Sequence, residues 1–314
     1  MSGLFLDQTT LPVIAAPMFL VSQPQLVVAA CKAGVIGTFP ALNHRTTEGF
    51  DAWLTDIEAA LSEASAADPE AVIAPYGVNL IVHRTNPRVH ADLEVLVRHK
   101  TPLVITSLGA VKEVVEAVHS YGGKVFHDVT NIRHARKAIA AGVDGLILVT
   151  AGAGGHAGTL SPFALLPEIR RIFDGTICLA GCISDGAAVA AAKALGADYA
   201  YMGTRFIAVQ EASAPPAYKE MILATSAKDI IYTAAISGIP ASFLAPSLVA
   251  AGINIAELPE HKEINLGEEL DTESKAWKDI WSAGQGVGSI DDVPTVAALV
   301  ARMSAEYKQA QARL

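Results

Sequence analysis

Short apolar runs, many of them β-branched, alternate along the chain with longer segments whose apolar residues recur at helical spacing. Leu11–Pro17 reads as a strand, and Gln23–Ala33 as a helix stopped by Gly34. The pair then repeats. Strands are expected at Val35–Phe39, Gly77–Val82, Leu103–Leu108, Lys124–Val129, Gly145–Thr150, Ile177–Ala180 and Ala200–Met202. Helices are expected at Phe50–Leu61, Val89–Val97, Val111–Val118, Ile132–Ala141, from Ser161-Pro162 to Ile172, and at Ala187–Leu195. Strands that are apolar without interruption are buried on both faces, as in a parallel sheet covered by helices. Repeats of roughly 25 residues imply right-handed crossovers. An open doubly wound sheet has the same alternation, but eight units before any break favour closure into an α/β (β/α)8 TIM barrel.

After Arg205 the rhythm stops. Helix-like pieces at Ala217–Leu223 and Thr272–Trp281 sit among Pro- and Gly-containing loops, with no clear strand alternation. The expected organisation is a barrel from residues 1–206 and 285–314, with 207–284 as a helical insertion over its mouth. A last helix near Pro294–Gln311 would close the outer ring.

Composition narrows the function classes. The 314 residues are 51% hydrophobic, ample for one large core. Positive mean hydropathy raises the question of a membrane. No apolar run reaches roughly 18 residues, so no span is expected. Residues Met1–Asp7 lack a basic start, so no signal peptide is expected. The net charge of −9 comes without a Lys/Arg cluster, which argues against nucleic acid as a partner. Three cysteines, Cys31, Cys178 and Cys182, have no disulfide or metal spacing. They point to the cytoplasm and read as small core hydrophobes.

In a barrel of this kind chemistry sits at the C-terminal ends of the strands, and phosphate is commonly held after strands seven and eight. Both places carry glycine here, in Leu179-Ala180-Gly181-Cys182 and Tyr201-Met202-Gly203-Thr204. Backbone N–H groups at Gly181, Gly203 and Thr204, with the Thr204 hydroxyl, form a candidate phosphate site; the plainer alternative is turn glycines alone. After strand six, Gly152–Ala157 satisfies G-x-G-x-x-A, but Ser161-Pro162 delays the helix and strand seven ends without an acidic residue. A dinucleotide fingerprint is therefore rejected. His156, flanked by Gly154 and Gly155, instead suggests an imidazole at the floor of a pocket that a planar ligand can approach closely. Asn79 lies in an otherwise apolar strand and must find a partner, either a ligand or neighbouring backbone.

Six stretches carry a resemblance: Ala15-Ala16-Pro17-Met18, Gly77-Val78-Asn79-Leu80, Gly154-Gly155-His156-Ala157-Gly158, Leu179-Ala180-Gly181-Cys182-Ile183, Met202-Gly203-Thr204-Arg205 and Ser282-Ala283-Gly284-Gln285. In order and spacing the chain resembles the nitronate monooxygenase (2-nitropropane dioxygenase-like) family over nearly its whole length. The same pattern resembles flavin-dependent NADH:quinone reductases and flavin enoyl-thioester reductases. The resemblance implies FMN, with its phosphate at Gly181, Gly203 and Thr204. It places Pro17 and Met18 beside the isoalloxazine ring, Asn79 at its polar edge and Gly154 and Gly155 along it. It makes His156 the active-site histidine. Strand five departs from the pattern: where many relatives carry a basic or amide side chain, this chain has Asp128, next to His127. Alternation lets only one of the two face the axis, and which one is open.

The implied reaction is oxidation of a small nitronate with O2 to a carbonyl compound and nitrite. The alternative is an NAD(P)H-dependent reductase of a quinone or enoyl thioester. A non-redox aldolase or isomerase holding a phosphorylated metabolite is a third reading, weakened by the lack of a Lys at the end of strand six. Assembly is open, with a homodimer as one option.

Overall fold

The structure is a computed structural model that describes residues 3–83, 85–109, 112–236, 238–259 and 280–313. Eight parallel strands close into a barrel: β1 (Val13–Ala15), β2 (Ile36–Pro40), β3 (Tyr76–Ile81), β4 (Leu103–Ser107), β5 (Lys124–Val129), β6 (Gly145–Val149), β8 (Thr176–Ala180) and β9 (Tyr199–Met202). The two-residue β7 (Gly155–His156) lies outside it. Closure is made by β1 on β9, with Ile14 opposite Tyr201 and Ala15 opposite Met202. The open-sheet alternative is thereby excluded.

Between the strands run α1 (Pro24–Lys32), α2 (Thr47–Ala67), α3 (Val89–Arg98), α4 (Lys112–His119), α5 (Ile132–Ala141), α6 (Pro162–Arg170) and α7 (Gly186–Leu195). Local chemistry sets their ends. Asn131 and Asp185 accept hydrogen bonds from the backbone N–H groups of His134 and Ala188, satisfying first-turn donors of α5 and α7. The helix α6 starts at Pro162 as the Ser-Pro pair predicts, although the Ser161 hydroxyl makes no capping bond.

Alternation along the strands sorts side chains into two sets. Ile14, Ile36, Leu103, Ile105, Phe126, Ile147, Cys178 and Tyr199 cluster inside the barrel. Val104, Val125, Leu146, Leu148, Ile177 and Leu179 face outward onto Leu93, Leu96, Val114 and Val118 of the helices. The barrel is thus a filled core rather than a pore. Its lower end is closed by the chain start, where the Tyr199 hydroxyl donates to the Leu4 carbonyl at 2.7 Å.

Beyond β9 come α8 (Thr204–Ile207), α9 (Pro216–Ala224), β10 (Ile230–Thr233), β11 (Ala241–Leu244) and α10 (Ala245–Ala250). The segment expected to be helical thus also contains strands. β10 and β11 pair antiparallel, and β11 pairs with β7, forming a three-stranded sheet. The runs Ile230–Thr233 and Ala241–Leu244 are only four residues each, too short to declare themselves beside Ala-rich neighbours. Most of the helix expected over Thr272–Trp281 lies outside the described residues. No described helix is long and apolar enough to cross a membrane.

The last helix, α11 (Val296–Gln311), packs along α7. Contact is close: a Cβ at Gly186 would fall 2.0 Å from the Met303 carbonyl oxygen, and the Gly186 N–H donates to Glu306 at 2.8 Å. Gly186→Ala should therefore destabilise the fold by about 1–3 kcal/mol through overpacking. The check is thermal unfolding of the purified protein; an unchanged midpoint would mean that the two helices separate freely at this point.

Candidate active site

The C-terminal ends of the strands open into a cavity of about 1060 Å³. Its lining includes every candidate site residue of the sequence analysis: Pro17, Met18, Asn79, Asp128, Gly154, Gly155, His156, Gly181, Gly203 and Thr204. Residues scattered over nearly 190 positions of the chain thus meet at one end of the barrel because parallel strands bring all their C-terminal ends together.

The glycine loops lie side by side. Gly181 follows β8 with φ +130°, and a Cβ there would sit 2.6 Å from the Thr150 hydroxyl and 3.0 Å from the Ala151 carbonyl. Only glycine takes this turn without strain. Thr204 opens α8, and its hydroxyl oxygen accepts from the Gly284 N–H at 2.9 Å, leaving its own hydrogen free to donate. Cys182, read from sequence as a core hydrophobe, is exposed at the cavity rim instead. It has φ +57°, because the turn after β8 swings it out of the strand's alternation. Cys31 and Cys178 are buried core residues.

His156 is held from the far side of the chain. Its backbone is β7, with Ala241 of β11 opposite His156 and Ser242 opposite Gly155. The Gly155 N–H donates to the Ser282 hydroxyl at 2.8 Å, and that hydroxyl donates to the Ser242 carbonyl at 2.5 Å. The Tyr232 hydroxyl donates to the Ala157 carbonyl at 2.8 Å. The stretch Ser282–Gln285 acts as a strap: the Gln285 N–H donates to the Gly152 carbonyl at 2.8 Å, while Gly284 packs so closely that a Cβ would meet that carbonyl at 2.6 Å. Tyr218 supports the strap by stacking on Trp281 at 4.9 Å and exchanging hydrogen bonds with Ser282. Burial pulls the His156 pKa down to about 4, so the ring is neutral at pH 7.

Strand alternation settles the pair on β5. Asp128 shares the parity of the inward Phe126, and His127 that of the outward Val125. His127 packs behind the barrel wall, with Nδ1 2.7 Å from the Thr106 hydroxyl, and burial lowers its pKa to about 4. Asp128 faces the lumen in a short polar chain. Asn79 Nδ2 donates to the Ser107 hydroxyl at 2.7 Å and to the Ile105 carbonyl at 3.2 Å; Ser107 donates to Asp128 Oδ2 at 2.5 Å. Asn79 therefore spends its amide hydrogens inside the protein, and its carbonyl oxygen is the atom left for a ligand. Burial pushes the Asp128 carboxyl up to about 6, with the Ser107 hydroxyl opposing.

Ser107, Tyr201 and Ser282 also line the cavity, although none was singled out as a site residue from sequence. Ser107 and Tyr201 could have been found by counting inward positions once the strand register was known. Ser282 could not, because its role depends on Gly155 and Ser242, 127 and 40 residues away.

Comparison with known proteins identifies the family. Residues 4–306 match the family model described as nitronate monooxygenase. The chain is 28% identical to a nitronate monooxygenase of Paraburkholderia phytofirmans, over 95% of this chain and 92% of that protein. It is also 30% identical to a nitronate monooxygenase of Neurospora crassa, over 68% of this chain and 64% of that protein. Among solved structures, nitroalkane oxidase from Streptomyces ansochromogenes superposes with a TM-score of 0.82 at 26% identity, covering 98% and 99% of the two chains. A FabK variant (M276A) from Thermotoga maritima superposes at 0.79 with 26% identity, covering 98% and 96%. Matched almost end to end in sequence and in fold, this chain belongs to the nitronate monooxygenase family of flavin-dependent oxidoreductases.

Proposed function

We propose that the protein binds FMN and oxidises small alkyl nitronates with O2 to a carbonyl compound and nitrite. The observation that carries this reading is an enclosed imidazole, His156, held neutral by burial, in the same cavity as the Gly181 and Gly203-Thr204 loops. The residues suit FMN. The backbone N–H groups near Gly181, Gly203 and Thr204 and the Thr204 hydroxyl would hold its phosphate. Pro17 and Met18 supply an apolar wall beside Gly203, whose Cβ position lies 3.7 Å from the Met18 sulfur. Gly154 and Gly155 leave the ring room, and Asn79 and Asp128 supply polar atoms at the opposite side. A cavity of about 1060 Å³ leaves space for a small substrate beside the cofactor.

When bound, FMN supplies the electron acceptor that no side chain offers. The chain's own part is to position and polarise. A neutral His156 donates or accepts a hydrogen bond at the nitro end without presenting a full charge. With a pKa near 4, the same imidazole is a weak base for removing a proton from a neutral nitroalkane. A weakly basic imidazole suits the nitronate, which arrives without that proton. The β11–β7 pairing and the Ser282 strap hold the backbone that carries the ring. A cytoplasmic setting accords with the free thiols.

A second reading, an NAD(P)H-dependent reductase of a quinone or enoyl thioester, is kept open by the size of the cavity, which exceeds what a small nitronate fills. Anaerobic stopped-flow absorbance separates the two. Fast reduction of the flavin by propionate 3-nitronate and slow reduction by NADH is the expected result. The reverse would make the protein a reductase.

A further inference from the structure

Asp128 is an unusual group for the floor of this cavity. Its strand parity turns it into the lumen, and its carboxyl is enclosed. One oxygen, Oδ2, accepts from Ser107 at 2.5 Å, at the end of the chain that begins at Asn79. The other, Oδ1, is buried with no hydrogen-bond partner among the described residues. The ionisable groups that feel its charge across the lumen are the Tyr201 phenol on β9 and the Cys178 thiol on β8, both kept neutral by burial. His127, its neighbour, has the opposite strand parity, is engaged through Nδ1 with the Thr106 hydroxyl at 2.7 Å and is itself neutral at pH 7. No described basic side chain forms an ion pair with it.

An ionised carboxylate in this position would leave one bare, desolvated anionic oxygen, which is costly. A proton on Oδ1 removes that cost and converts the oxygen into a donor. It also preserves the Ser107 bond, because Oδ2 remains an acceptor. The direction of the Asp128 shift agrees with this: burial raises it to about 6 even with the cavity open to water. Covering the cavity floor with a flat ring would raise it further.

We propose that Asp128 holds a proton on Oδ1 in the flavin-loaded protein and presents that O–H as a hydrogen-bond donor to an acceptor on the polar edge of the ring. The proposal rests on the FMN reading above and adds to it a proton-linked contact. Flavin binding is then coupled to proton binding at one named oxygen. The free carboxyl has the lower pKa and the loaded carboxyl the higher. Binding is therefore tightest below the lower value and weakens as pH rises between the two.

The experiment uses the FMN-loaded protein, diluted at a series of pH values, with released-flavin fluorescence reporting the dissociation constant. The FMN phosphate titrates in the same range, so the wild-type constant is divided by that of Asp128→Asn, which cancels the ligand's own titration. The ratio should rise between about pH 5 and pH 8, by about tenfold for each pKa unit that the ring adds to the carboxyl. Ser107→Ala provides an independent arm. It removes the one donor that stabilises the ionised form, so the rise should move to higher pH. A ratio that stays flat, or one that falls because an ionised Asp128 accepts from a ring N–H, would overturn the proposal, as would an unmoved rise in Ser107→Ala. Failure of both the wild type and Asp128→Asn to retain FMN would instead sink the flavin reading and this proposal with it.

Discussion

Replacing His156 with Asn should leave FMN bound and slow nitronate turnover by about 10²–10⁴-fold. Asparagine keeps a polar group of smaller reach, while the backbone of residue 156 stays paired to Ala241 and the Gly155–Ser282 bond is untouched. The loss should therefore appear in turnover and not in flavin content, which is read from the visible absorbance of the purified protein. Turnover equal to wild type would remove His156 from the chemistry. The pH dependence adds a second reading. In the Asp128→Asn background the nearby carboxyl no longer titrates. With a pKa of about 4, the imidazole is neutral above that value and becomes charged as pH falls through it. The rate should therefore hold constant from about pH 8 to pH 5 and change only near 4. An inflection near 6.5 would mean a solvated ring.

The second large effect is expected at Gly181. Gly181→Ala puts a side chain at φ +130° with its Cβ 2.6 Å from the Thr150 hydroxyl. Thr150 cannot easily move, because its hydroxyl donates to the Ala180 carbonyl at 2.7 Å. Strain of about 1–3 kcal/mol would turn the loop out of its present shape. Because the strain falls on the proposed phosphate cradle, it should appear mainly as FMN affinity, weakened by roughly 5- to 150-fold at about 1.4 kcal/mol per factor of ten. Fluorescence of released flavin measures it. Riboflavin, which lacks the phosphate, should be less affected; an equal loss for both would place the phosphate elsewhere.

Most of the barrel was legible from local patterning. The strands buried on both faces read as apolar runs, and a helix stop such as Gly34 marked a unit. In the structure Gly142 ends α5 in the same way, at φ +88°. The β10–β11 pair was not legible. It pairs with β7, whose two residues carry no strand signal of their own, and packs Ala241 and Phe243 against Ile236, Leu248 and Ile280. The same holds for Cys182, whose exposure depends on a left-handed turn that its residue type does not announce.

What the sequence determined by itself was therefore the repeating strand–helix unit, its closure after eight repeats, and the glycine, histidine and asparagine positions at strand ends. Each follows from chemistry within a few residues: alternation, capping and the turn needs of glycine. Tertiary structure alone decided the direction of Asp128 and the anchoring of His156. The first depends on how strand register orients β5 around the axis. The second depends on Ser242 and Ser282, brought to the β7 loop from the far end of the chain. Both are contacts between distant segments, and local sequence carries no record of which distant segment will arrive.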